Sequence, residues 1–142
     1  MRKIKKIALI YSDTRKTDKA LERVTQIIES TECEIKYSAN IKQFNYKGSK
    51  NSKKVDLILV IGGDGTMIGS IRHLHHLNTP FLGVNTGTVG FLTDLSIKNI
   101  ENLKEILKGS YISETRPIYE AYSVQRKREI FLNEVVIHSG SV

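Results

Sequence analysis

Cysteine, proline and tryptophan are almost missing from this sequence. Its 142 residues hold one cysteine, Cys33, two prolines and no tryptophan. A single thiol cannot close an intramolecular disulfide, so a cytoplasmic, reducing environment is the expected setting. No apolar run approaches the ~20 residues that a membrane-crossing helix needs. The start, Met1-Arg2-Lys3-Ile4-Lys5-Lys6, has the charge of a signal peptide, but its apolar run, Ile7 to Ile10, is too short and Asp13 soon follows. Repeats, coiled-coil heptads and low-complexity tracts are also lacking. What is left is an ordinary globular domain with 39% hydrophobic residues.

Acidic residues are scarce only in the front of the chain. Residues 1–54 carry 14 Lys/Arg against 6 Asp/Glu, whereas residues 55–142 carry 8 against 9. Lysines such as Lys36, Lys42, Lys47, Lys50, Lys53 and Lys54 are scattered, and no aromatic platform for stacked bases interleaves with them. The net charge of +7 therefore reads first as a solvated basic surface and second as an attraction for anionic nucleotides, with direct nucleic-acid binding the minor reading, so no nucleic-acid or membrane partner is expected.

The apolar pattern alternates between strand and helix. Ile4 to Ser12 reads as a buried strand, and Thr17 and Asp18 are candidate caps for a helix carrying Leu21, Val24, Ile27 and Ile28. Cys33 to Tyr37 is a weaker strand, and Ser38 to Lys54 reads as a long loop. Val55 to Ile61 is apolar on both faces, as in a parallel sheet covered by helices. A helix with Met67, Ile68, Ile71 and Leu74 follows, then a strand from Phe81 to Val84. Ser96 or Asn99 starts a further helix carrying Ile100, Leu103, Ile106 and Leu107, with Gly109 behind it. From Tyr111 onward, segments around Ile112–Arg116, Ile118–Gln125 and Ile130–His138 read as consecutive strands, with a charged turn at Arg126-Lys127-Arg128. The expected fold is thus α/β: a Rossmann-like open, mostly parallel sheet with helices on both faces over residues 1–110, followed by the first strands of an incomplete all-β domain over residues 111–142.

Three segments carry chemistry. Gly62-Gly63-Asp64-Gly65-Thr66 lies between a buried strand and a helix, where ligands of open α/β sheets gather. Its glycines let backbone approach phosphate oxygens, and the helix N-terminus favours an anion. Asp64 would repel phosphate, so its chemistry is to accept a proton from an attacking hydroxyl or to meet a metal-bound phosphate. The plainer alternative is a tight turn in which Asp64 caps the helix. The second segment, Gly83 to Asp94, reads GVNTGTVGFLTD and reaches the same sheet edge. Asn85 offers both a donor and an acceptor, and Gly87 and its fellow glycines permit close approach, although an ordinary connection would also fit. It lacks the glycine spacing of dinucleotide-binding oxidoreductases. The third is LNEVVIH from Leu132 to His138, where Asn133 and Glu134 interrupt an apolar strand and need partners or an outward face.

In this order the three segments resemble the NAD kinase family. GGDGT alone is shared with lipid kinases of the diacylglycerol and sphingosine type, so a lipid kinase is the alternative enzyme. The resemblance implies Asp64 as general base, Gly65 against the dinucleotide, Phe91 beside the adenine, and Asn133 and Glu134 on ribose hydroxyls. Gly62, Gly63, Thr66, Asn85 and Gly87 complete the expected nucleotide contacts. It further implies transfer of the γ-phosphoryl of ATP to the 2′-hydroxyl of the adenosine ribose of NAD, with Mg²⁺ offsetting phosphate charge. A homo-oligomer built through the β-rich part is expected.

The sequence departs from the family at Thr88 and Val89, where relatives often have a basic residue or histidine followed by leucine. It departs again at Ser139, where arginine often follows the histidine. Family members also continue well beyond the Asn-Glu motif, so the 142-residue chain alone is expected to be inactive or nearly so. A non-catalytic, truncated paralogue that binds nucleotide is the reading from a different class. His73, His75 and His76 cluster near a helix end, which suits the helix dipole better than a metal. Arg116 resembles a family arginine that opens the second domain, and a surface ion pair explains it equally well.

Overall fold

The computed structural model describes residues 3–43, 54–87, 90–125 and 128–132. The chain runs β1 (Lys6–Tyr11), α1 (Arg15–Glu29), β2 (Glu34–Asn40), β3 (Leu57–Ile61), α2 (Asp64–Leu74), β4 (Phe81–Asn85), β5 (Leu95–Ser96), α3 (Leu103–Lys108), β6 (Tyr119–Tyr122) and β7 (Arg128–Phe131). The first five strands form one sheet in the order β2-β1-β3-β4-β5. Every pairing in it is parallel.

Strand β3 explains why the sheet is covered on both sides. All five of its residues, Leu-Ile-Leu-Val-Ile, are buried. Successive side chains point to opposite faces. Leu57, Leu59 and Ile61 join Val24, Ile28, Leu103 and Leu107 in a core under α1 and α3. Ile58 and Val60 join Met67, Ile71, Leu74 and Leu92 under α2. Each fully buried aliphatic side chain is worth about 1.5–3 kcal/mol. The expected open parallel sheet with helices on both faces is the observed one.

The helix ends differ in detail from the sequence reading. Helix α1 starts a turn earlier than Thr17 and Asp18 suggested, because Thr14 is its N-cap and accepts from the Thr17 N–H at 3.2 Å. Thr17 turns inward instead and is wholly buried. The next capped turn is where Ser96 was expected: Ser96 and Asn99 form a capping box ahead of the 3₁₀ turn Ile97–Asn102 that leads into α3. Gly109 ends α3 at φ 107°, a left-handed conformation that glycine adopts without strain.

Strand β2 runs on to Asn40, so residues 38–40 belong to the sheet and not to a loop. Its pairing with β1 is maintained through Tyr11↔Asn40, with a bulge at Ile7/Ala8. Residues 44–53 lie outside the described residues. The two-residue strand β5 was not anticipated.

Beyond α3, residues 111–118 form no strand, and Ile112 is 97% exposed. The strand expected over Ile112–Arg116 is therefore absent. Its alternating pattern meets no partner strand among the described residues. Strands β6 and β7 pair antiparallel, with the Tyr119 and Phe131 rings stacked at 5.4 Å. Arg128 begins β7 instead of completing a turn. The hairpin is tied to α2, since the Arg72 Nε–H donates to the Ile130 carbonyl at 2.8 Å. The expected strand from Ile130 to His138 passes outside the described residues after Leu132.

Candidate active site

The strand order places a crevice between β1 and β3. From β1 the chain moves outward to β2, and from β3 it moves the other way to β4 and β5. Such a reversal opens a cleft beyond the carboxyl ends of the strands. The loops meeting there are Ser12-Asp13-Thr14 and Gly62-Gly63-Asp64, and the Ser12 N–H donates to the Ile61 carbonyl at 3.1 Å.

Gly63 is the N-cap of α2, and no side chain caps the helix. The alternative reading of Asp64 as a capping residue is thus not what the structure shows. The Asp64 carboxylate crosses to the second loop. Its Oδ2 accepts from the Phe91 N–H at 2.8 Å and its Oδ1 from the Leu92 N–H at 3.1 Å. Two of roughly four lone-pair positions are then engaged, and the others remain for a hydroxyl proton. Asp64 also sits in the first turn of α2, where a negative charge suits the helix dipole.

The glycines at this edge differ in what surrounds them. A Cβ at Gly62 would lie 2.7 Å from the Thr66 Cβ, so that glycine serves the fold. A Cβ at Gly63 or Gly65 would meet nothing within 4 Å. No packing within the described residues demands glycine at either position, and in a helix glycine costs about 0.5–1 kcal/mol relative to alanine. Two open glycines beside a helix N-terminus suit close approach of a ligand from outside.

The second loop is braced by its own side chains. Asn85, only 5% exposed, donates from Nδ2 to the Thr93 hydroxyl at 3.0 Å and accepts from the Gly87 N–H at 2.7 Å. The Asp94 N–H donates to the Gly83 carbonyl at 3.0 Å and closes the base of the loop. The Phe91 ring stands 90% exposed at the tip. The structure therefore brings Asp64, Phe91 and the glycines of both loops to one edge, and it links the Asn85 amide to Gly87 and Thr93. Asn133, Glu134, Thr88, Val89, His138 and Ser139 lie outside the described residues.

Three hydroxyls at the cleft escaped the sequence reading. Thr17 Oγ1 lies 2.7 Å from Thr14 Oγ1 and 3.1 Å from Ser12 Oγ, forming a chain at the end of β1. The only hint was a run of small polar residues after a buried strand. Thr93 was missed as well, although its place eight residues after Asn85 and three after Gly90 in a short loop made contact feasible.

On the β6–β7 hairpin, neighbours shift the ionisation of Glu120. The Tyr122 hydroxyl and then Arg128 hold Glu120 below its usual range, and Glu120 in turn raises Tyr122 and Arg128. Among the described residues no three His, Cys, Asp or Glu side chains gather as a metal cage. Asp64 alone fits the way Mg²⁺ is commonly held, by one or two carboxylates together with substrate phosphates.

Fold and site together define a doubly wound α/β domain with a carboxylate at its glycine-rich strand-to-helix loop. The sequence profile of the ATP-NAD kinase N-terminal domain matches residues 7–111. The chain belongs to the NAD kinase family. It is 43% identical over 95 residues to the NAD kinase of Salmonella dublin, covering 63% of this chain and 32% of that protein. To the NAD kinase of Salmonella choleraesuis it is 41% identical over 99 residues, covering 66% and 34%. The crystal structure of an NAD kinase from Archaeoglobus fulgidus in complex with ATP superposes with a TM-score of 0.60 at 27% identity, covering 85% of this chain and 44% of that one. The chain spans about a third of the length of the curated relatives it matches. No helix among the described residues is long and apolar enough to cross a membrane.

Proposed function

We propose that this chain is the nucleotide-binding part of an ATP-dependent NAD kinase that moves the γ-phosphoryl of ATP to the 2′-hydroxyl of the adenosine ribose of NAD. The observation that carries this reading is Asp64, fixed by the Phe91 and Leu92 amides at the edge where the two glycine loops meet. A ribose hydroxyl is a poor nucleophile at neutral pH. A carboxylate positioned beside it takes the proton as the new P–O bond forms, for about 10²–10⁴-fold. Gly63 and Gly65 give phosphate or ribose oxygens access to the start of α2. Phe91 offers an exposed ring for the adenine, and the family resemblance assigns ribose contacts to Asn133 and Glu134. Mg²⁺, carried on the phosphates beside Asp64, would neutralise their charge. Cytoplasmic residence, a division into two domains near residue 110 and self-association through the β-rich part belong to the same proposal.

The test is a chimera in which residues 7–111 replace the matched segment of a Salmonella NAD kinase. The chimera is expected to form NADP from NAD and ATP, and Asp64→Asn to lower that rate by about 10²–10⁴-fold. A folded chimera that makes no NADP, or one indifferent to Asp64→Asn, overturns the reading. Phosphorylation of diacylglycerol in its place would favour a lipid kinase.

A further inference from the structure

Two glycines of the second loop are crowded, and by different things. A Cβ at Gly83 would stand 2.8 Å from the Cα of Thr93, which is main chain and cannot give way. A Cβ at Gly90 would stand 2.8 Å from the Asp64 Cγ and 2.9 Å from the Thr93 hydroxyl oxygen. That hydroxyl is held by Asn85. The Asp64 carboxylate is the end of a rotatable side chain, so it is the group that would move. Turning away takes its oxygens off the Phe91 and Leu92 amides. A methyl group at residue 90 thus leaves the sheet in place and displaces the one side chain whose orientation the chemistry needs.

We infer that Gly90 is a positioning residue for phosphoryl transfer: its bare Cα is what allows the Asp64 carboxylate to lie against the loop. This rests on the reading of Asp64 as the base. The same contact links the base to the exposed aromatic ring. Because Phe91 donates its own N–H to Asp64, the ring and the carboxylate are set relative to each other through a single hydrogen bond. Displacing the carboxylate alters its geometry towards the reacting hydroxyl and leaves the glycines and the ring available for binding. The effect therefore falls on turnover and not on affinity. A misplacement of about 1 Å costs on the order of 10²-fold in rate.

Two measurements test this. In the 142-residue chain, hydrogen exchange at both the Phe91 and Leu92 amides is expected to quicken about tenfold or more in Gly90→Ala, and at one of the two in Asp64→Asn, which keeps a single oxygen, as for loss of a hydrogen bond to a charged group. Amides of β3 should stay as protected as before, whereas Gly83→Ala should loosen the whole sheet. In the chimera, Gly90→Ala is expected to lower kcat about 10²-fold with little change in KM for NAD or ATP. Added to Asp64→Asn, it should have no further effect, because the group it displaces no longer acts. Unchanged exchange at the two amides, an unchanged kcat, or an equal loss in both backgrounds would each overturn the inference. Turnover that survives Asp64→Asn would instead sink the assignment of the base, and the exchange result would still stand as a test of the contact.

Discussion

Replacing Asp64 by asparagine is expected to destabilise the protein, which is the opposite of what removal of a strained catalytic carboxylate does. The magnitude follows from what the side chain touches. Its two oxygens accept two main-chain N–H groups, and hydrogen bonds to a charged group are worth about 1.5–3 kcal/mol each when both partners are sheltered. Phe91 is exposed and Asp64 half-buried, so water takes over part of that value. In asparagine one oxygen is kept, and the amide nitrogen then faces a second donor. The charge at the start of α2 is also lost, for about 0.3–1 kcal/mol. The net expectation is about 1–3 kcal/mol, or a fall in Tm of roughly 3–10 °C for a domain of this size. Thermal unfolding of the 142-residue chain followed by circular dichroism measures it. An Asp64→Asn variant that melts at or above the wild-type temperature would refute the reasoning, since the two amide contacts would then contribute nothing.

Gly65→Ala should do the reverse, raising stability by up to about 1 kcal/mol in α2 while weakening nucleotide binding, as read by melting and calorimetric titration. Leu59→Ala, at the centre of β3 with no exposure, should cost about 2–5 kcal/mol by denaturant titration. Glu101 is held below its ordinary 4.5 by Lys104 and, next, by Arg23, which reaches it from α1. A depressed carboxyl contributes stability above its unfolded value, and that contribution disappears as pH falls through the folded one. Glu101→Gln should therefore melt lower than wild type at neutral pH. The gap should close as pH falls through that lowered value, beneath 4.5, and also in 1 M salt, where exposed pairs are screened.

The sheet and its helices were legible because aliphatic periodicity reports burial directly, and β3 is the clearest case. What failed depended on partners that periodicity does not record. Thr17 looks like a cap in sequence, yet Thr14 and Ser12 satisfy its hydroxyl and let it go inside. Strand β5 is two residues long and exists only because β4 lies beside it. Residues 112–116 alternate like a strand and have no neighbour to pair with among those described. At the site, the placing of Asp64 beside the second loop followed from consecutive parallel strands, β3 and β4, ending at one edge. The groups that grip Asp64 are main-chain amides, which every residue type except proline carries, so no sequence pattern could have named them. The contact between Asn85 and Thr93 was hidden for a related reason: an asparagine after a strand looks the same whether or not a loop hydroxyl accepts from it.

Helix α2 has a mechanical meaning beyond its share of the core. Asp64 stands at its first residue, and Arg72, near its other end, grips the main chain of the β6–β7 hairpin. Eight residues of helix separate the two points, a strut of about 12 Å that neither stretches nor compresses easily. The hairpin is therefore anchored to the same rigid shaft that carries the carboxylate. A force on that hairpin enters α2 at Arg72 and is carried along one stiff axis to the turn that holds Asp64.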